Sequence, residues 1–117
     1  MQDSLISTLK PLVIKTCGGY EYFDYKEVIR FQAEGNNTLV YIINRDSPLR
    51  VLYNLSDIEQ KHVHPVFFRC HRSHIVNLQH LVKFNDKSRQ LVLAGEHIVP
   101  VSENYKGKLI DKTVKGL

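Results

Sequence analysis

Six histidines, two cysteines and the run Cys70-His71-Arg72-Ser73-His74 are the residues whose types suggest chemistry. A zinc site is the first reading of a Cys-His-x-x-His cluster, but zinc takes four tetrahedral ligands, usually in paired CxxC or HxxxH spacings. The chain has no CxxC, and neighbours on a strand point to opposite faces, so Cys70 and His71 do not readily reach one ion. Nucleophilic catalysis by Ser73 or Cys70 with His71 is the second reading. No GxSxG elbow is present, Cys70 follows the apolar Phe67-Phe68 where a thiolate is disfavoured, and no carboxylate nearby would orient the histidine. Phosphate-cradling loops of the GxxxxGK[ST] or GxGxxG type are absent. No catalytic residue, metal or cofactor is therefore expected. The histidines read as hydrogen-bonding groups beside a buried cysteine.

Polar groups suited to nucleic acid are more promising. Glu34-Gly35-Asn36-Asn37-Thr38 places amides at a hairpin tip, and Asn pairs with adenine through two hydrogen bonds in the major groove. Asn also tolerates left-handed turn geometry, so this turn alone leaves both readings open. Arg72-Ser73 follows an apolar strand that would hold an arginine fork at a sheet edge, and Arg suits guanine or phosphate. Ser102-Glu103-Asn104-Tyr105-Lys106 opens a helix, whose free N–H groups suit a phosphate; an ordinary helix cap is the plain alternative. Charge adds a direction. Residues 1–65 carry seven Lys and Arg against eight Asp and Glu, whereas residues 66–117 carry nine against four. A basic C-terminal half is the footprint of a polyanion binder, or simply of a solubilising surface.

The elements that must position these groups are short strands of period two. Leu12–Cys17 reads as a strand ended by Gly18-Gly19, and Tyr20–Phe23 resumes the alternation. Asp24 can cap one helical turn over Tyr25–Glu27. Val28–Ala33 and Thr38–Ile43 flank the Gly/Asn turn, and Arg45-Asp46-Ser47-Pro48 separates them from Leu49–Tyr53. Leu55, Ile58 and Val63 then share one helix face; Ser56 with Glu59 fits a capping box, Asn54 can cap instead, and Pro65 ends the helix. Phe67–His71 is a further strand. Leu81–Asn85 and Gln90–Ala94 form a hairpin across Asp86-Lys87-Ser88, His97–Val101 is the last strand, and Ser102 caps a helix running through Tyr105, Leu109, Ile110 and Val114.

A chain of 117 residues with 43% hydrophobic and 24% charged residues is one globular domain with a real core. No apolar run approaches the ~18 residues of a membrane span, and the start lacks the pattern of an export signal. A cytoplasmic protein without membrane partners is expected, with Cys17 and Cys70 as two buried free thiols. Residues 1–10 read as a linker or an added start, and residues 11–117 as the domain.

The combination of these features resembles one family. Phe67-Phe68-Arg69-Cys70-His71-Arg72-Ser73-His74-Ile75-Val76-Asn77-Leu78 is similar to the signature of LytTR domains, the DNA-binding domains of the LytR/AlgR family of bacterial transcriptional regulators. Val28–Ala33 before Gly35-Asn36-Asn37-Thr38, the Leu55–Val63 helix and Ile98-Val99-Pro100-Val101-Ser102 fall in the family's order, so the resemblance spans roughly residues 12–113. It implies a mostly β fold: an elongated stack of small antiparallel sheets with one short helix and a C-terminal helical segment. It implies sequence-specific binding of duplex DNA, with loops entering successive major grooves. A homodimer on paired promoter repeats is one arrangement it implies. Base contacts would fall to Asn37, Thr38, Arg72, Glu103 and Asn104, and phosphate contacts to Arg69, Ser73 and Lys106. His71 would be structural, holding Arg72 and Ser73 in place.

Two departures stand out. The position after Ser102 often carries Arg in the family and here is Glu103, which either accepts from cytosine N4 or turns away while Asn104 and Lys106 make the contact; the second is expected. Family members also commonly carry an upstream receiver domain with a phosphorylatable Asp, for which these residues leave no room. The function expected is therefore transcriptional regulation without catalysis, as the output domain of a two-component response regulator. A protein–protein interaction module on the same scaffold, without DNA binding, is the alternative.

Overall fold

The computed structural model describes residues 12–61 and 64–114. Its centre is a five-stranded antiparallel sheet of β3 (Val28–Glu34), β4 (Asn37–Ile42), β5 (Leu49–Val51), β6 (Phe67–His71) and β7 (His74–Asn77), in the order β5-β4-β3-β7-β6. One face is covered by the hairpin of β1 (Leu12–Thr16) and β2 (Gly19–Phe23) and by the short helix α1 (Leu55–Lys61). The other face carries a three-stranded sheet of β8 (Leu81–Asn85), β9 (Gln90–Leu93) and β10 (His97–Pro100), together with helix α2 (Glu103–Thr113). The result is the stack of small antiparallel sheets that the strand pattern and the resemblance predict. Among the described residues no helix is long and apolar enough to cross a membrane.

Two apolar clusters hold the layers together. Leu12, Ile14 and Phe23 of the hairpin meet Val28, Phe31, Val40, Ile42, Val51 and Ile75 of the central sheet, with Leu55 and Ile58 of α1 closing the cluster. On the far side Ile29, Phe68, Cys70 and Val76 meet Leu91, Leu93, Val99, Val101 and Leu109. Strand β3 serves both clusters, which explains why its first four residues are all buried and do not alternate. The ladder with β4 slips between Val28 and Arg30. Such a bulge re-aims side chains, and Arg30 lies 9% exposed beside residues of the second cluster.

Turn chemistry follows the sequence in most places. Gly19 and Gly35 have φ of 138° and 59°, the left-handed geometry that their hairpin turns demand. Other expectations are corrected. Cys17 lies in the β1–β2 turn and is exposed, because the strand stops at Thr16; only Cys70 is a buried thiol. The capping box of Ser56 and Glu59 does not form: Asn54 Oδ1 accepts from the Asp57 N–H at 2.8 Å, while Glu59 pairs with Arg69. Ser102 occupies the N-cap of α2, but its hydroxyl makes no capping hydrogen bond. The expected extension of α1 through Val63, and the start over residues 1–10, lie outside the described residues.

Candidate nucleic-acid interface

Two of the three polar segments sit at one end of the central sheet for a topological reason. Strands β3 and β7 are antiparallel, with Gln32 opposite His74, so the β3–β4 turn and the β6–β7 turn leave the sheet at the same end. The Ala33 N–H donates to the Ser73 carbonyl at 2.9 Å and ties the two turns together. The third segment is tied to β6, just before the β6–β7 turn, since the Ser102 N–H donates to the Cys70 carbonyl at 3.0 Å. Groups that are 32 to 67 positions apart in sequence, Asn37, Arg72 and Asn104, thus belong to three neighbouring connections.

The β6–β7 turn is braced from beneath by Arg69. Its Nε donates to the His71 carbonyl at 2.9 Å, one terminal nitrogen donates to the Arg72 carbonyl, and the other pairs with Glu59 of α1 at 2.8 Å. The side chain is only 14% exposed. For Arg69, expected to hold a DNA phosphate, the structure shows each guanidinium nitrogen donating once within the fold, an arrangement that braces the backbone of Arg72. His71 acts as expected, with Nδ1 accepting from the Ser73 N–H at 3.0 Å. Arg72 itself is exposed, and no carboxylate pairs with it among the described residues. A cation held by its backbone but unpaired at its head is what an anionic ligand needs.

Thr38 is a departure from expectation. It is fully buried, and its hydroxyl donates to the Tyr53 carbonyl at 2.8 Å, so it cannot reach a base. The alternation that buries Thr38 leaves Asn37 half-buried and Asn36 exposed at the tip. Asn36 is thus the outermost amide of this turn, a position that strand register, and not residue type, decides.

At the start of α2, Asn104 is exposed, whereas Glu103 meets Arg89 of the β8–β9 turn at 2.5 Å and Lys106 meets Asp86 of the same turn at 2.6 Å. Glu103 and Lys106 are thus both engaged by a neighbouring turn, while Asn104 lies exposed between them. All these ion pairs lie at the surface, where water screens them and a ligand can displace them.

The other histidines among the described residues are structural. His64 stacks on Tyr25 and accepts from the Val66 N–H, His80 Nε2 lies 2.6 Å from the Lys26 carbonyl oxygen, and His97 Nδ1 accepts from Arg30 Nε at 2.9 Å. Burial pushes the Cys70 thiol up to about 12, so it is protonated and unreactive at neutral pH. Burial, with the neighbouring His71 and Arg30, pushes His74 down to about 4. Among the described residues no three His, Cys, Asp or Glu side chains are grouped to hold a metal ion. The signature asparagine is structural as well: buried Asn77 donates from Nδ2 to the Tyr25 and Val28 carbonyls at 2.9 and 2.8 Å and accepts from the Gln79 N–H.

Comparison with known proteins agrees with this architecture. Residues 18–113 match the family described as LytTr DNA-binding domain. The chain is 37% and 36% identical, over 90 residues, to two proteins of Paraburkholderia xenovorans (strain LB400) named heme-containing CO-sensing transcriptional regulator RcoM 1 and RcoM 2. The matches cover 74% of this chain and 33% of each relative, so the chain spans about a third of their length. Among solved structures, a LytTr DNA-binding domain of a putative methyl-accepting/DNA response regulator from Bacillus cereus superposes with a TM-score of 0.71 at 26% identity, covering 86% of this chain and 94% of that one. The sheet stack, the signature around the β6–β7 turn and a match over most of its length place the chain in the LytTR family of DNA-binding domains.

Proposed function

We propose that the chain reads duplex DNA sequence through three connections: the β3–β4 turn with Asn36 and Asn37, the β6–β7 turn with Arg72, and the start of α2 with Asn104. The observation that carries the reading is the arrangement at Arg72, an exposed guanidinium whose backbone is fixed by Arg69 and His71. Arg offers a two-pronged fork to guanine in the major groove, and an amide offers the same to adenine. Ser73, Lys106 and the unbonded Ser102 hydroxyl would hold phosphates, which set register, while the base contacts set sequence. The chain then acts in the cytoplasm, without catalysis, as the output part of a signal-responsive transcriptional regulator. A receiver of a two-component system is the upstream partner proposed, and paired copies on promoter repeats would enlarge the small interface of one module.

Selection from a random duplex library, followed by salt titration of the winner, tests this. A motif should emerge, and log K should fall with log salt by about 0.9 per neutralised phosphate. Arg72→Ala should cost about 1–3 kcal/mol on that duplex and relax preference at one base pair. Equal losses on selected and scrambled duplexes would reassign Arg72 to phosphate. Binding that stays in the non-specific range of about 10⁻⁴–10⁻⁶ M with no motif would remove the sequence-reading function.

A further inference from the structure

The β8–β9 turn has no part in the reading above, yet it is bound to the start of α2 at three points. The Val101 N–H donates to the Arg89 carbonyl at 2.9 Å, Arg89 pairs with Glu103 at 2.5 Å, and Lys106 pairs with Asp86 at 2.6 Å. Arg89 has a φ of 53°, a left-handed conformation that non-glycine residues seldom adopt. It turns the chain at the end of the hairpin and places the arginine beside the residue next to Asn104. Both partners of the pair remain over half exposed, at 52% and 61% of their side chains. A guanidinium has five N–H donors, and one carboxylate occupies only part of that fork.

A bare Glu103 beside Asn104 would repel DNA at the connection proposed to read it. Paired with Arg89, the same carboxylate becomes a bracket that fixes the direction of a cation while leaving donors free. From this geometry we infer that Arg89 is a further DNA-contacting residue, a phosphate ligand aimed by Glu103, and that Glu103 is a positioning residue and not a reader of bases. The inference rests on the DNA-reading assignment above. The fork can bridge carboxylate and phosphate at once, so duplex binding need not break the pair.

The test uses the full chain and the duplex selected by the unaltered protein. Arg89 is replaced by Asn, which tolerates the left-handed backbone, and by Lys, which keeps the charge and loses the fork. Arg89→Asn should weaken binding roughly tenfold, the size of one charge-assisted contact. It should also lower the slope of log K against log salt by about 0.9, and Arg89→Lys should restore that slope. Glu103→Gln should weaken binding when Arg89 is present and strengthen it in the Arg89→Asn background, where the carboxylate is bare. An unchanged slope in Arg89→Asn overturns the contact. The same effect of Glu103→Gln in both backgrounds, including none, overturns the positioning role. Failure of the unaltered protein to select any motif brings down the DNA-reading assignment itself, a result distinct from either.

Discussion

Arg69 shows how far a residue's chemistry depends on what surrounds it. By type it is a phosphate ligand in a basic stretch; in the fold it spends its donors on Glu59 and on the carbonyls of His71 and Arg72. Arg69→Ala should therefore lower stability by about 2 kcal/mol in urea unfolding, the range for lost hydrogen bonds to a charged group. It should also relax preference at the base pair assigned to Arg72, whereas Arg72→Ala should leave the unfolding midpoint unchanged. Equal midpoints for the two variants would return Arg69 to the surface. His74 offers a prediction in pH. Burial first, then His71 and Arg30, hold its folded pKa down to about 4, and its Nδ1 is buried with no hydrogen-bond partner. The unfolded chain takes up this proton near pH 6.5, so the stability His74 contributes is complete above about 6.5 and is lost as pH falls towards 4. His97, lowered by burial and then by Arg30, acts in the same direction. His74→Leu should flatten the fall of melting temperature between pH 6.5 and pH 4, and an unaltered fall would show that other groups carry it.

Among the elements, α1 decides between two sequence readings of equal merit. Asn54 and the Ser56/Glu59 box both satisfied the capping rules, and the structure uses Asn54 because Glu59 is drawn away by Arg69. Asn54→Ala should cost about 1 kcal/mol, the usual worth of a cap. Ser56→Ala, at an exposed position, should cost nothing measurable by thermal melting. The reverse order would restore the capping box. The short turn Tyr25–Glu27 shows the complementary case, in which a local signal decides: the Glu27 carboxylate accepts from the Asp24 N–H at 2.8 Å, as the Asp-x-x-Glu spacing allows. Asn77 then fixes that turn from a distance of 52 residues, which no local pattern announces.

Across the whole molecule, β3 and β7 each contribute to both apolar clusters, β7 through Ile75 and Val76. Phe31 belongs to one and Ile29 to the other, so neither cluster can empty without disturbing the same strand. Unfolding should accordingly be a single transition. Tyrosine fluorescence samples both sides, through Tyr25 and Tyr53 in one and Tyr41 and Tyr105 in the other. Its midpoint in urea should coincide with that of far-ultraviolet circular dichroism. Separate midpoints would mean that the three-stranded sheet and α2 form an independent unit.

The amino-acid sequence by itself determined the strands, their turns and the signature around His71, because period-two burial, positive-φ glycines and capping groups act within a few residues of one another. It also indicated Arg72 and Asn104, since an arginine after an apolar strand and an asparagine in a helix's first turn are exposed for local reasons. The surroundings of Thr38 and Arg69 are not legible in sequence, because their partners, Tyr53 and Glu59, are brought to them by sheet register and by the packing of α1. Tertiary structure alone decided which polar groups are consumed inside the fold and which are left to meet a ligand. Hydrogen bonds between remote segments cannot be counted until the chain has brought those segments together.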